Sequence, residues 1–88
     1  MNVKVINEVK KGFDDSEWTL CFQYCTYPYE EADDQNGYRF IWRDPKNHLQ
    51  PVMGQTRIPS VKDAKELIDM AIEEGWGEFE HPFEYVKE

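Results

Sequence analysis

Basic residues are scarce in this chain, ten Lys and Arg against eighteen Asp and Glu, for a net charge of −8. A balance of that sign argues against generic attraction to nucleic acid or anionic membrane and suits solubility or a basic partner. Cysteine is scarcer still, with only Cys21 and Cys25. Four residues apart on one expected strand, they are separated by about 13 Å, too far for a disulfide, and free thiols suit a reducing compartment. No apolar run approaches membrane-spanning length, and the opening MNVKVINEVKKG lacks a signal-peptide core, so the expected location is cytoplasmic. Neither a phosphate-binding glycine loop nor an internal repeat or linker occurs. Eighty-eight residues allow a single domain, 1–88, with one modest core and little room for a deep cleft.

What the chain does have is rings: three Trp, five Tyr and five Phe, within 40% hydrophobic residues. They mark a globular protein. The organising stretch runs from Gly37 to Gly75. Asp44-Pro45-Lys46-Asn47 has Asp at the first turn position, Pro at the second and an Asn suited to positive φ, which predicts a three-residue hairpin loop. If Asp44 faces His48, Phe40 pairs with Val52, and Tyr38, Phe40, Trp42, Val52, Gly54, Thr56 and Ile58 share one face. Arg39, Ile41, Arg43, Met53, Gln55 and Arg57 then share the other.

A helix to cover the aromatic face is predicted from Ser60, an N-cap with Asp63 three residues on, to Gly75, the residue just past its end. Its apolar stripe is Val61, Ala64, Leu67, Ile68, Ala71 and Ile72, with Lys62, Asp63, Lys65, Glu66, Asp69, Glu73 and Glu74 outward. Upstream, residues 2–9 read as a first strand with Val3, Val5 and Val9 inward, ended by Lys10-Lys11-Gly12. An acidic turn, Asp14-Asp15-Ser16-Glu17, leads to a strand from Trp18 to Tyr27 with clear alternation. PYEEADDQNG then reads as a loop closed by a tight turn at Asn36-Gly37. The tail WGEFEHPFEYVKE is too apolar to hang free and reads as an edge strand or a docked arm. The fold class is therefore α+β: an antiparallel sheet of four strands, or five with the tail, packed on one α-helix in the order β-β-β-β-α.

Residue chemistry points away from catalysis. Cys21, Cys25, His48 and His81 are zinc-type ligands, but the histidines are isolated and the cysteines lie along a strand rather than paired on a turn. A calcium loop aligned on Gly37 would need an acid where Ala32 stands and a Glu where Arg43 stands. No catalytic residue, metal or cofactor is expected, and no enzyme activity. One constellation stands out as a binding site: Arg39, Arg43, Gln55 and Arg57 with Trp42. Arginines on a sheet grip phosphates or carboxylates bidentately, unless the chain's own acids, for instance Asp33 or Asp34, pair with them first. Residues 38–57 carry Arg39, Arg43, Lys46 and Arg57 against Asp44 alone, net +3, which leaves −11 on the remainder.

The strand, turn, strand and Ser-to-Gly helix of residues 38–75 resembles in layout the three-strand-plus-helix module of plant AP2-type and integrase-arm domains, a resemblance that implies DNA reading by the sheet. YRFIWR, GQTRIPS, ELIDMA and EGWG also resemble segments of small bacterial proteins of unassigned function, which implies no activity. Weighed with the acidic balance, the expected function is a small acidic protein-interaction module, an accessory or inhibitor of a basic protein partner, monomeric or weakly dimeric. Nucleic-acid binding through the arginine face is the alternative, with duplex DNA not expected as a partner. A small-molecule or enzyme site ranks last.

Overall fold

The computed structural model of the chain describes residues 2–50 and 56–76. Four antiparallel strands, β1 (Lys4–Phe13), β2 (Ser16–Tyr29), β3 (Ala32–Arg43) and β4 (Leu49–Gln50), lie side by side in chain order, and one helix, α1 (Val61–Glu73), packs on the sheet. The β3–β4 loop follows from its residues. Asp44 N–H donates to the His48 carbonyl at 2.9 Å, the Asp44 carboxylate accepts from the Lys46 and His48 amides, and Asn47 takes φ +71°. That closure aligns Arg43 with Leu49 and Trp42 with Gln50, the expected register where it is described. The expected continuation through Val52, Met53, Gly54 and Gln55, and the expected C-terminal strand or arm, lie outside the described residues.

Period-two alternation along β2 sorts the sheet into two faces. Leu20, Phe22 and Tyr24 stand opposite Trp42, Phe40 and Tyr38 on the helix side. There Val9, Leu20, Leu67, Ala71 and Trp76 form the buried cluster, with Phe13, Phe22, Tyr24, Phe40, Trp42 and Ile58 around it. Full burial of Leu20 and of Leu67 contributes about 1.5–3 kcal/mol each. Phe22–Phe40 and Tyr24–Tyr38 ring pairs, both with centroids 4.7 Å apart, add directional contact.

Both helix ends obey their local chemistry. Ser60 Oγ accepts from the Asp63 amide and donates to the Asp63 carboxylate. At the far end Gly75, at φ +78°, donates to the Ile72 carbonyl while the Trp76 amide donates to that of Ala71. This paired closure turns the chain so that Trp76 falls back onto the core. The stripe differs from expectation, since Val61 is 86% exposed and Ile68 39%, whereas Asp63 is buried. Asp63, Leu67 and Ala71, spaced by four, form the sheet-facing line because Lys11, opposite Leu20 on the helix side, extends its ammonium to Asp63 at 3.0 Å and also to Glu66.

Three upstream expectations are corrected. Lys10, Lys11 and Gly12 continue β1 instead of ending it, since the Lys11 carboxylate partners hold it on the helix side. A register shift between Val5 and Asn7 puts Val5 opposite Cys25 on the far face, while Val9 lies opposite Phe22 in the core. Alternation therefore does not carry both valines inward. The segment expected as a loop is strand: the chain reverses at Glu30-Glu31, and Asn36 and Gly37 pair with Thr26 and Cys25. Thr26 donates to the Asn36 side chain, which donates in turn to the Tyr24 hydroxyl, so polar cross-strand bonds hold what hydrophobic alternation does not. Pro28 sits at the register shift between Tyr27 and Tyr29, where no ladder N–H is required.

Candidate functional site

The far face of the sheet carries the two arginines read from the sequence. Arg39 stands opposite Gln23, and Arg43 opposite Thr19, one strand from Glu8. Glu8 lies at the centre of a chain of hydrogen bonds. Arg43 Nη2 and Nε donate to its two oxygens at 2.8 and 3.1 Å, Gln23 Nε2 donates at 2.7 Å, and Arg39 Nε donates to Gln23 Oε1 at 2.8 Å. The Arg43–Glu8 pair is largely shielded, at 20% and 17% side-chain exposure. Burial by itself raises the Glu8 pKa, but the Arg43 and Gln23 bonds and the Arg43 charge outweigh it and hold the carboxylate below its ordinary range. The acid that pairs is thus Glu8, not Asp33 or Asp34, and Arg39 has an amide rather than a carboxylate as partner.

Beneath this network lie Cys21, Cys25 and Ile41, all buried, as Gln23 within it is too. Burial, reinforced by the Glu8 charge, pushes the Cys21 thiol up to about 11, and burial raises Cys25 as well. Neither is a thiolate near neutral pH, so neither has the character of a nucleophile. Among the described residues no group of three His, Cys, Asp or Glu side chains comes together as a metal set, and no helix is long and apolar enough to cross a membrane.

Trp42 and Arg57 are not on that face. Trp42 points to the helix side, where its indole N–H donates to the Arg57 carbonyl at 2.9 Å. Both line an open groove of about 550 Å³ at the β1–β2 end, with Phe13, Trp18, Pro59 and Asp15. The proposed cluster is therefore divided: Arg39 and Arg43 on one face, Trp42 and Arg57 in a groove on the other, and Gln55 outside the described residues. The β1–β2 turn builds the groove wall. Asp14-Asp15 reverses the chain, Ser16 Oγ accepts from the Trp18 amide at 3.0 Å, and Phe13 meets Trp42 with ring centroids 5.7 Å apart. Trp18 is left 40% exposed.

Charge is distributed unequally around this frame. Lys11, Arg43, Lys62 and Lys65 pair with acids of the chain itself. The exposed acids Asp14, Asp15 and Glu17 at one end of β2, and Glu30, Glu31, Asp33 and Asp34 at the other, have no cation partner among the described residues. Beside the second group Tyr29 is 53% exposed. Comparison with protein-family models, curated proteins and solved structures finds no match. Residue reasoning missed Glu8, Gln23, Asp15 and Trp18. A glutamine between two cysteines on an alternating strand was the available signal for the first pair; the groove depends on a turn meeting residues 42 and 57, which no local pattern encodes.

Proposed function

We propose that this chain is a small, non-enzymatic interaction module that presents the acidic ends of its sheet to a basic protein partner, in the cytoplasm. The observation that carries the reading is the set of exposed acids in and beside the two turns that bound β2, without a cation partner among the described residues, on a chain of net charge −8. A cationic partner gains attraction there without first breaking an internal ion pair. The largely shielded Arg43–Glu8 pair has the opposite character, because engaging Arg43 with an outside anion means releasing Glu8. A second reading, nucleic-acid binding through the far face, rests on Arg39, whose side chain donates to the neutral Gln23.

The test is affinity capture from lysate of the source cell with four baits: the native chain, Asp14→Asn/Asp15→Asn/Glu17→Gln, Glu30→Gln/Glu31→Gln/Asp33→Asn/Asp34→Asn, and Glu73→Gln/Glu74→Gln as a charge control on the helix. A basic protein retained by the native and control baits, lost from one end variant and released by salt is expected. Equal retention by all four baits, or equal loss from the control, contradicts the reading.

A further inference from the structure

Resting on that reading, we infer that the groove at the β1–β2 end receives an extended, proline-bearing segment of the partner whose flanking Arg or Lys lies on Asp15. Three properties of the groove select this chemistry. Its walls are rings and an imide: Phe13, Trp18, Trp42 and Pro59. Flat, rigid aromatic walls take up proline rings with little loss of side-chain freedom, and an extended proline helix enters already ordered. Its volume of about 550 Å³ and its open form suit several residues of an extended chain rather than one enclosed side chain.

Hydrogen-bonding capacity is matched as well. A proline-rich backbone offers carbonyl acceptors and few N–H donors. The groove is lined by Arg57 and by Trp18, whose indole N–H has no partner among the described residues. Two polar groups are already engaged: Ser16 Oγ by the Trp18 amide and the Trp42 indole by the Arg57 carbonyl. The Trp18 indole N–H is thus left for the ligand.

Charge settles the flank. Asp15 lines the groove in the same turn as Asp14, and Glu17 follows at the start of β2, all exposed. Arg57 is the one cationic residue among those that line the groove, so the acids around Asp15 are where a basic flank of the peptide gains attraction. This differs from a general attraction of basic proteins, which needs neither proline nor Trp18.

The experiment follows tryptophan fluorescence, with the indole N–H signals in a two-dimensional NMR spectrum, during titration with three synthetic peptides. One is an oligoproline with an arginine pair at one end, the second the same oligoproline with glutamates instead, and the third a Gly-Ser peptide with the arginine pair. Saturable binding of the first, weaker binding of the second and none of the third are expected. Trp18→Ala should lower affinity for the first at least about tenfold, the scale of losing one aromatic anchor. Asp15→Asn, on an exposed turn that does not threaten folding, should weaken the arginine peptide several-fold and leave the glutamate peptide unweakened. Equal binding of the proline and Gly-Ser arginine peptides, or no saturable change with any peptide, overturns the groove assignment. Neither result touches the acidic-end reading, which stands or falls with the capture experiment.

Discussion

Leu20 and Cys21 are neighbours on β2, both fully buried, and they are buried by opposite means. Leu20 lies under the helix among Val9, Leu67, Ala71 and Trp76, where contact is apolar and non-directional. On the other face Cys21 lies under long polar side chains tied head to tail from Arg39 through Gln23 and Glu8 to Arg43. The Gln23 amide is bonded at both ends, and no buried side-chain polar atom of the described residues lacks a partner. One strand therefore supports a hydrophobic layer on one side and a directional polar layer on the other. On the hydrophobic side stability comes from apolar burial. The polar layer covers the other side of the sheet and pairs Arg43 with Glu8, whereas the exposed acids at the ends of β2 have no cation partner among the described residues.

The comparison is broken most severely on the helix side. Leu67→Ala should cost about 2–5 kcal/mol, as usual for a fully buried leucine, read from urea denaturation. Ile68→Ala, at a position 39% exposed, should cost roughly 1 kcal/mol, and Lys65→Ala should change stability hardly at all. A loss at Lys65 equal to that at Leu67 would mean that another face of the helix is packed.

On the far face, Glu8→Ala removes the acceptor of three bonds and should cost about 1–3 kcal/mol, the scale for hydrogen bonds to a charged group. Its acid dependence gives a sharper reading. Because the folded Glu8 pKa lies below its ordinary value of 4.5, its contribution is complete above that value and disappears as pH falls through the lower folded value. Stability of the native chain should fall in that acid range, and Glu8→Gln should flatten part of the fall. Identical acid profiles for the two chains would remove Glu8 from the account.

Thiol chemistry offers the smallest effect and the finest probe of closure. With Cys21 pushed up to about 11 and both thiols buried, alkylation at neutral pH should be slow in the native state and fast in urea. Arg43→Ala should accelerate labelling of Cys21 before any global unfolding. Rapid native labelling would show that the polar layer does not seal the face.

Legibility in the sequence tracked how local each cause is. The β3–β4 register was readable because Asp44, Pro45 and Asn47 encode it within a few residues, and the helix ends because Ser60 and Gly75 act on their own turns. Helix rotation was not, since the pairing of Lys11 with Asp63 spans half the chain. Asn36-Gly37 carries a turn signal, yet Thr26 and Tyr24 on the neighbouring strand claim Asn36 for the ladder. Of the candidate site, the arginines were legible from alternation along β3. Their fate was not, because Glu8 reaches Arg43 across the whole width of β2.

The division between a sealed basic face and open acidic ends is tested most directly by titrating labelled duplex and single-stranded DNA with the native chain and with Arg39→Ala/Arg43→Ala, at low and at physiological salt. The few cations of residues 38–57 release few counterions. At a Debye length of about 8 Å, they act beside a remainder of net −11. The account predicts no binding at physiological salt by either chain. Micromolar or tighter binding by the native chain at that salt, abolished by the double substitution, would contradict it and make the far face the functional surface.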